Sequence, residues 1–160
     1  TAVVINRERI YPRKWSTEKI KLVIKNVLDY GYKVVLFGGQ DEIKELKYLG
    51  NILEHQNLYD FVGKTDITES IILATQCDLL IGVDTGMQHI ADAAGVKTLS
   101  IFGPTNPKTH GAYSNKAKFI EADCDCKYCY VTDMYLKCKD RKCLNSISAD
   151  SVINKILFEE

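Results

Sequence analysis

Six short apolar runs, at residues 2–6, 33–37, 58–62, 78–83, 98–102 and 117–120, read as strands, and most are followed by a segment with helical spacing. Ser16 is placed to cap a helix to about residue 30, with Ile20, Val23, Ile24, Val27 and Leu28 on one face and Gly31 closing it. A second helix is expected over residues 41–55, with Ile43, Leu46, Leu49, Ile52 and Leu53 apolar. Asp66 and Glu69 have capping-box spacing ahead of Ile71, Ile72 and Ala74. Residues 90–94 read as a short helix, and Ser148 opens a last one bearing Val152, Ile153, Ile156 and Leu157. Strands separated by helices require right-handed crossovers and a parallel sheet. The strands read as apolar throughout, as expected where helices cover both faces. The expected fold is therefore α/β: a Rossmann-like three-layer α/β/α sandwich around a mostly parallel sheet of about six strands.

At 160 residues the chain is expected to form one domain spanning residues 1–160. Lys plus Arg and Asp plus Glu both number 21, so there is no basic excess to mark a nucleic-acid partner. A local cluster of Arg7, Arg9, Arg13 and Lys14 stands out nonetheless. No apolar run approaches the length of a membrane span. The first residues read as a strand followed by charges, not as a secretory leader, and the absence of an initiator Met suggests a fragment of a longer protein.

The strongest functional signal is Asp84-Thr85-Gly86-Met87-Gln88-His89, directly after the apolar run that ends at Val83. A strand that breaks at Asp-Thr-Gly and enters a helix leaves backbone N–H groups free at the carboxyl edge of the sheet. With the helix dipole they favour an anion such as phosphate, and ligands of open α/β sheets sit at that edge. Capping alone also accounts for Asp and Thr there. His89 is close enough in sequence to face the same ligand. Phe102-Gly103-Pro104-Thr105-Asn106-Pro107 ends the next strand at the same edge, and Gly38-Gly39-Gln40-Asp41-Glu42 ends the second. The paired glycines allow close backbone approach, and Glu42 can accept hydrogen bonds from ribose hydroxyls or simply favour a helix start. No Gly-x-Gly-x-x-Gly fingerprint is present. Gly63-Lys64-Thr65 lacks the earlier glycine of a phosphate loop, since that position is Leu58, although Thr65 can still line the cleft. Arg13-Lys14-Trp15 reads either as a solvated basic turn with Trp15 packed inward or as a cation reaching a pyrophosphate across the cleft.

Cys77 stands alone and reads as a small buried hydrophobe. The other five cysteines crowd an insertion at residues 123–143, as Cys124-x-Cys126-x2-Cys129-x8-Cys138-x4-Cys143. Cys126, Cys129, Cys138 and Cys143 can supply four thiolates to a structural zinc. Disulfides and free thiols are the alternatives, and a structural role is favoured over a catalytic one.

Together these motifs resemble glycosyltransferase family 9, the ADP-heptose:lipopolysaccharide heptosyltransferases, in their C-terminal domain. The resemblance spans nearly the whole chain and rests most on Asp84 to Ala91, Gly95, Phe102 to Pro107, Arg13-Lys14-Trp15 and Phe37-Gly38-Gly39. Some members also carry a late cysteine pattern. In place of the family's Lys two positions before the Trp, this chain has Arg13, which keeps the charge and changes the geometry.

The resemblance implies the donor-binding C-terminal half of a GT-B enzyme and inverting transfer of heptose from ADP-heptose to a lipopolysaccharide core acceptor. It places the protein at the cytoplasmic face of the inner membrane, in peripheral contact with it. By analogy Asp84, Thr85, Gly86 and His89 face the sugar and pyrophosphate, and Glu42 holds the ribose. Gly38, Gly39, Thr65, Met87 and Thr105 lie near the nucleotide, and Arg13 or Lys14 holds phosphate. No cofactor is required for transfer, with zinc or disulfides only structural. The catalytic base and acceptor site are expected in an N-terminal domain outside this chain, which alone should bind donor without turnover. The alternatives are a GT-B relative using another nucleotide sugar and a non-catalytic nucleotide-binding module.

Overall fold

The protein was analysed as a computed structural model that describes residues 2–4, for their backbone alone, and residues 13–158. The expected strand positions Ile5 and Asn6 and the cluster members Arg7 and Arg9 lie outside the described residues.

The strands β1 (Ala2–Val4), β2 (Val34–Phe37), β3 (Leu58–Asp60), β4 (Leu79–Val83), β5 (Lys97–Phe102) and β6 (Ala117–Glu121) form one sheet in the order β3-β2-β1-β4-β5-β6. All five pairings are parallel. The helices are α1 (Thr17–Asp29), α2 (Ile67–Thr75), α3 (Gly86–Ala93), α4 (Pro107–His110), α5 (Asp133–Lys137), α6 (Lys142–Ser146) and α7 (Ala149–Leu157). The expected doubly wound α/β fold is the one observed. Its strand order reverses between β1 and β4, which opens a crevice at their carboxyl ends.

Side chains alternate across a strand, and that alternation divides the core in two. Leu36, Ile81, Val83, Leu99 and Ile101 join Trp15 and the buried stripes of α1 and α7 in the larger cluster. Phe37 and Leu80 join Ala74 of α2 and Ala91 of α3 in the smaller one. Cys77 is half-buried against that smaller cluster. The interior strands β2, β4 and β5 are largely apolar because each face meets a helix layer, with Thr98 and Ser100 of β5 as buried polar exceptions. The outer strand β6 departs from that expectation: Lys118, Phe119 and Glu121 are exposed, as suits a charged sheet edge.

Most helix boundaries match the capping chemistry. Asp66 accepts from Glu69 N–H at 2.8 Å and Glu69 accepts from Asp66 N–H at 2.9 Å, a complete capping box on α2. Ser148 accepts from Ser151 N–H at 3.0 Å on α7. Ser16 precedes α1 without a side-chain cap bond, and Gly31 follows it at φ +84°.

Two expectations need correction. The helix over residues 41–55 is instead two 3-10 segments, Gln40–Tyr48 and Gly50–Glu54, separated where Gly50 takes φ +59°. Leu46, Leu49 and Ile52 recur every three residues, the spacing that shares one side of a 3-10 helix, and they pack on the larger core. The helix expected to begin at Ile90 begins four residues earlier, at Gly86, so the Asp-Thr-Gly segment is itself the helix entry.

Candidate functional site

The crevice at the strand-order reversal is a cleft of about 630 Å³, within the usual size of a small-molecule site. Strand β2 contributes Phe37, Gly38, Gly39 and Glu42. The β3–α2 connection contributes Thr65 and Asp66 and helix α2 contributes Ser70, the hydroxyl oxygens of Thr65 and Ser70 lying 2.8 Å apart. The end of β4 and the start of α3 contribute Asp84, Thr85, Gly86, Met87 and His89. Arg13 comes from the approach to α1, and Thr109 and His110 from α4.

The three carboxylates of the cleft are all engaged, Asp66 by the Glu69 N–H of the α2 capping box. Arg13 Nη1 lies 3.2 Å from Asp84 Oδ2, and the Asp84 side chain is only 9% exposed. The same nitrogen reaches the Asp84 carbonyl at 3.4 Å. Glu42, 1% exposed, folds back to accept from Gly39 N–H at 2.5 Å. The glycines make room for this. A Cβ at Gly38 would come within 3.1 Å of Glu42 Cβ and of Val62 Cγ1, and one at Gly39 within 3.2 Å of Glu42 Oε2. Glu42 therefore shapes the β2 end, a role the sequence left level with ribose binding.

Gly86 and His89 are exposed in the cleft wall. Gln88 N–H donates to the carbonyl of the capping Thr85 at 3.1 Å, while the Gly86 and Met87 N–H groups that open α3 have no carbonyl within the helix to meet, and the helix dipole adds to their pull on an anion. Thr85 Oγ1 is buried without a hydrogen-bond partner among the described residues. A buried hydroxyl in that state is open to a further hydrogen bond.

The structure gathers most of the candidate donor residues: Arg13, Gly38, Gly39, Glu42, Thr65, Asp84, Thr85, Gly86, Met87 and His89 all line the cleft. Lys14 and Thr105 do not. Lys14 Nζ is tied to Glu45 at 2.7 Å, with Thr17 Oγ1 on the other Glu45 oxygen at 3.2 Å. Thr105 is 1% exposed, beneath the surface at the β5 end. Trp15 is buried and donates to the Ile147 carbonyl at 3.2 Å, so the inward-packed indole and the cleft-facing cation are both present. Ser70, Thr109 and His110 were missed. Asn106 followed by Pro107 was the available signal for α4: Asn106 caps it, accepting from Lys108 N–H at 2.9 Å.

All six cysteines are free thiols. Cys124 and Cys126 Sγ lie 3.7 Å apart. Burial pushes the Cys143 thiol up to about 11, and the neighbouring Cys124, Cys126 and Cys129 add to the effect. The four expected zinc ligands, Cys126, Cys129, Cys138 and Cys143, are not gathered as one: among the described residues no three His, Cys, Asp or Glu side chains are grouped to hold a metal ion.

The protein is thus a doubly wound parallel α/β domain with a helix start and an arginine–aspartate pair at its strand-order reversal. The model of glycosyltransferase family 9 (heptosyltransferase) matches residues 3–139, and the chain belongs to that family. Lipopolysaccharide heptosyltransferase 1 of Pseudomonas aeruginosa is 47% identical over 118 residues, covering 73% of this chain and 32% of the relative. A glycosyl transferase family 9 structure from Veillonella parvula superposes with a TM-score of 0.79 at 25% identity, covering 96% of this chain and 44% of that one. Escherichia coli heptosyltransferase WaaC, solved with ADP, superposes at 0.76 and 18% identity over 99% of this chain and 44% of that one, a likeness of fold. The chain spans 32% to 46% of the length of the curated relatives it matches.

Proposed function

We propose that this chain is the donor-binding domain of a heptosyltransferase that takes ADP-heptose and delivers heptose, with inversion, to a lipopolysaccharide core acceptor. The observation that carries the reading is the α3 entry, where Gly86 opens the helix to the cleft beside the buried Thr85 hydroxyl, which has no hydrogen-bond partner among the described residues. The N–H groups of Gly86 and Met87 would hold the departing diphosphate, as an oxyanion site does. Arg13 would meet the same charge from the opposite lip. The general base and the acceptor site would belong to a second domain of the whole protein, so this chain would bind donor without turning it over.

On this proposal the transfer would take place at the cytoplasmic face of the inner membrane. Among the described residues no helix is long and apolar enough to cross a membrane. The test is calorimetric titration of the chain with ADP and UDP, beside Asp84→Ala. ADP bound in preference to UDP and weakened in the variant supports the reading. No nucleotide bound by the unaltered chain overturns it.

The cysteine segment is proposed as a structural staple outside the transfer chemistry. Four thiolates suit zinc chemically, although the thiols as placed do not form a closed ligand set. Metal analysis with thiol counting decides: one zinc per chain supports a metal staple, protected thiols without metal support disulfides, and six reactive thiols without metal refute both.

A further inference from the structure

The cysteine segment does more than cap the domain: it packs against residues 13–14, which bring the cation to the cleft. Arg13 Cζ lies 5.5 Å from the centre of the Tyr130 ring. His110, on the cleft wall, meets the same ring edge-on at 5.4 Å, and Tyr135 backs it at 5.0 Å. Arg141 Nη1 donates to the Lys14 carbonyl at 2.9 Å, fixing the backbone next to Arg13. The segment is anchored in turn to the end of β5. Tyr130 N–H donates to the Pro104 carbonyl at 2.9 Å and Tyr128 N–H to the Gly103 carbonyl at 3.3 Å. At Gly103 a Cβ would come within 2.7 Å of Leu144 and 3.1 Å of Cys143 Sγ, so strand end and segment are closely packed there.

We infer that Tyr130 is a positioning residue of the donor cleft, its ring holding the Arg13 guanidinium beside Asp84 and bracing His110 on the wall. Tyr130 does not itself line the cleft; it acts through these two side chains. A free arginine side chain samples many rotamers and loses that freedom when it binds a phosphate. An aromatic face meeting the guanidinium restricts it beforehand, and the contact strengthens as solvent is excluded. The insertion would thus govern affinity for the charged part of the donor and not for its nucleoside. The inference rests on the proposal that the cleft takes a nucleoside diphosphate.

The test compares ADP with adenosine as probes, by calorimetry for the first and by amide chemical shifts for the second. The proteins are the unaltered chain, Tyr130→Phe and Tyr130→Leu. Tyr130→Phe should match the unaltered chain, because the ring suffices. Tyr130→Leu should bind ADP about five-fold more weakly, the scale of one partly exposed cation–π contact, with adenosine unchanged. Should Tyr130→Leu fail to fold, the cycle of Arg13→Lys with Tyr130→Phe and Tyr130→Met replaces it, and coupling only where the ring is lost supports the inference. Equal ADP affinity in the ring-less variant, or parallel losses for ADP and adenosine, overturns it. Absence of ADP binding by the unaltered chain instead overturns the donor-site reading beneath it.

Discussion

Gly86→Ala separates what α3 needs from what a ligand needs. A Cβ built at Gly86 meets nothing within 4 Å, and the residue is the first of the helix. Its φ is outside the left-handed region, so alanine fits the backbone without strain. Glycine in a helix costs about 0.5–1 kcal/mol relative to alanine, partly through the freedom of the unfolded chain. For a domain of this size the substitution should raise Tm by about 1–4 °C. The same methyl group would stand in the open cleft, where a diphosphate would close on the Gly86 and Met87 N–H groups. ADP affinity should fall at least about ten-fold, the equivalent of about 1.4 kcal/mol. Thermal melts without ligand read the first effect and ADP calorimetry the second. A variant less stable than the parent would refute the placement of Gly86 at an unencumbered helix entry. A more stable variant that binds ADP unchanged would refute contact between the ligand and this turn.

Other outcomes follow from the same geometry. Glu42→Gln keeps the shape and removes the charge from the bond to Gly39 N–H; urea unfolding should show a loss of about 1–2 kcal/mol. At Asp92 burial opposes ionisation, but the Ser114 hydroxyl and the N–H groups of Ser114 and Tyr113 outweigh it and hold the carboxyl below its usual value of 3.8. Its contribution is present above that pH and is lost as pH falls through the lowered value, so acid titration of stability should bring Asp92→Asn and its parent together. Cys143, raised to about 11 from 9.0, favours the folded state below pH 9, with the contribution lost as pH rises towards 11. At pH 8 it should be the last thiol of the cluster to react with iodoacetamide, as mass spectrometry of the labelled peptides would read.

The parallel sheet was legible because the interior strands are largely apolar and each ends in residues that cannot continue it. Leu80 and Ile81 serve opposite layers, which only a sheet covered twice requires. The α3 entry was legible for a related reason: Asp84-Thr85-Gly86 breaks a buried strand where a helix must start. The second helical segment misled because Ile43, Leu46, Leu49, Ile52 and Leu53 satisfy a helical stripe as well as a 3-10 one. What decides is Gly50, whose positive φ breaks the segment, and one glycine in a run does not announce its dihedral. Lys14 could not be told from Arg13 by charge; the difference is Glu45, 31 positions away, which takes Lys14 out of the cleft. Tyr130 carried no local signal, since its meaning depends on packing with Arg13, 117 residues earlier in the numbering.

The presence of three carboxylates, Asp66, Asp84 and Glu42, in a cleft proposed for a diphosphate is the apparent contradiction of the site, and their partners resolve it, Asp66 being held as the α2 cap by the Glu69 N–H. Asp84 meets the only arginine lining the cleft among the described residues, so that pair is neutral before any ligand arrives. Glu42 is turned onto the Gly39 N–H, beside the start of a 3-10 segment, where negative charge is favoured. None of the three needs an incoming cation. The open end of α3 then faces the cleft with its field uncancelled, because its first turn carries no acidic residue. In a site sheltered by protein such oriented N–H groups act more strongly than they would in water. An anion that enters meets the helix end first. It can then draw Arg13 towards itself, loosening the guanidinium from Asp84 and leaving that carboxylate to accept from a neighbouring hydroxyl. A sugar diphosphate would offer both kinds of group in one ligand, the anion for the α3 entry and the sugar hydroxyls for Asp84.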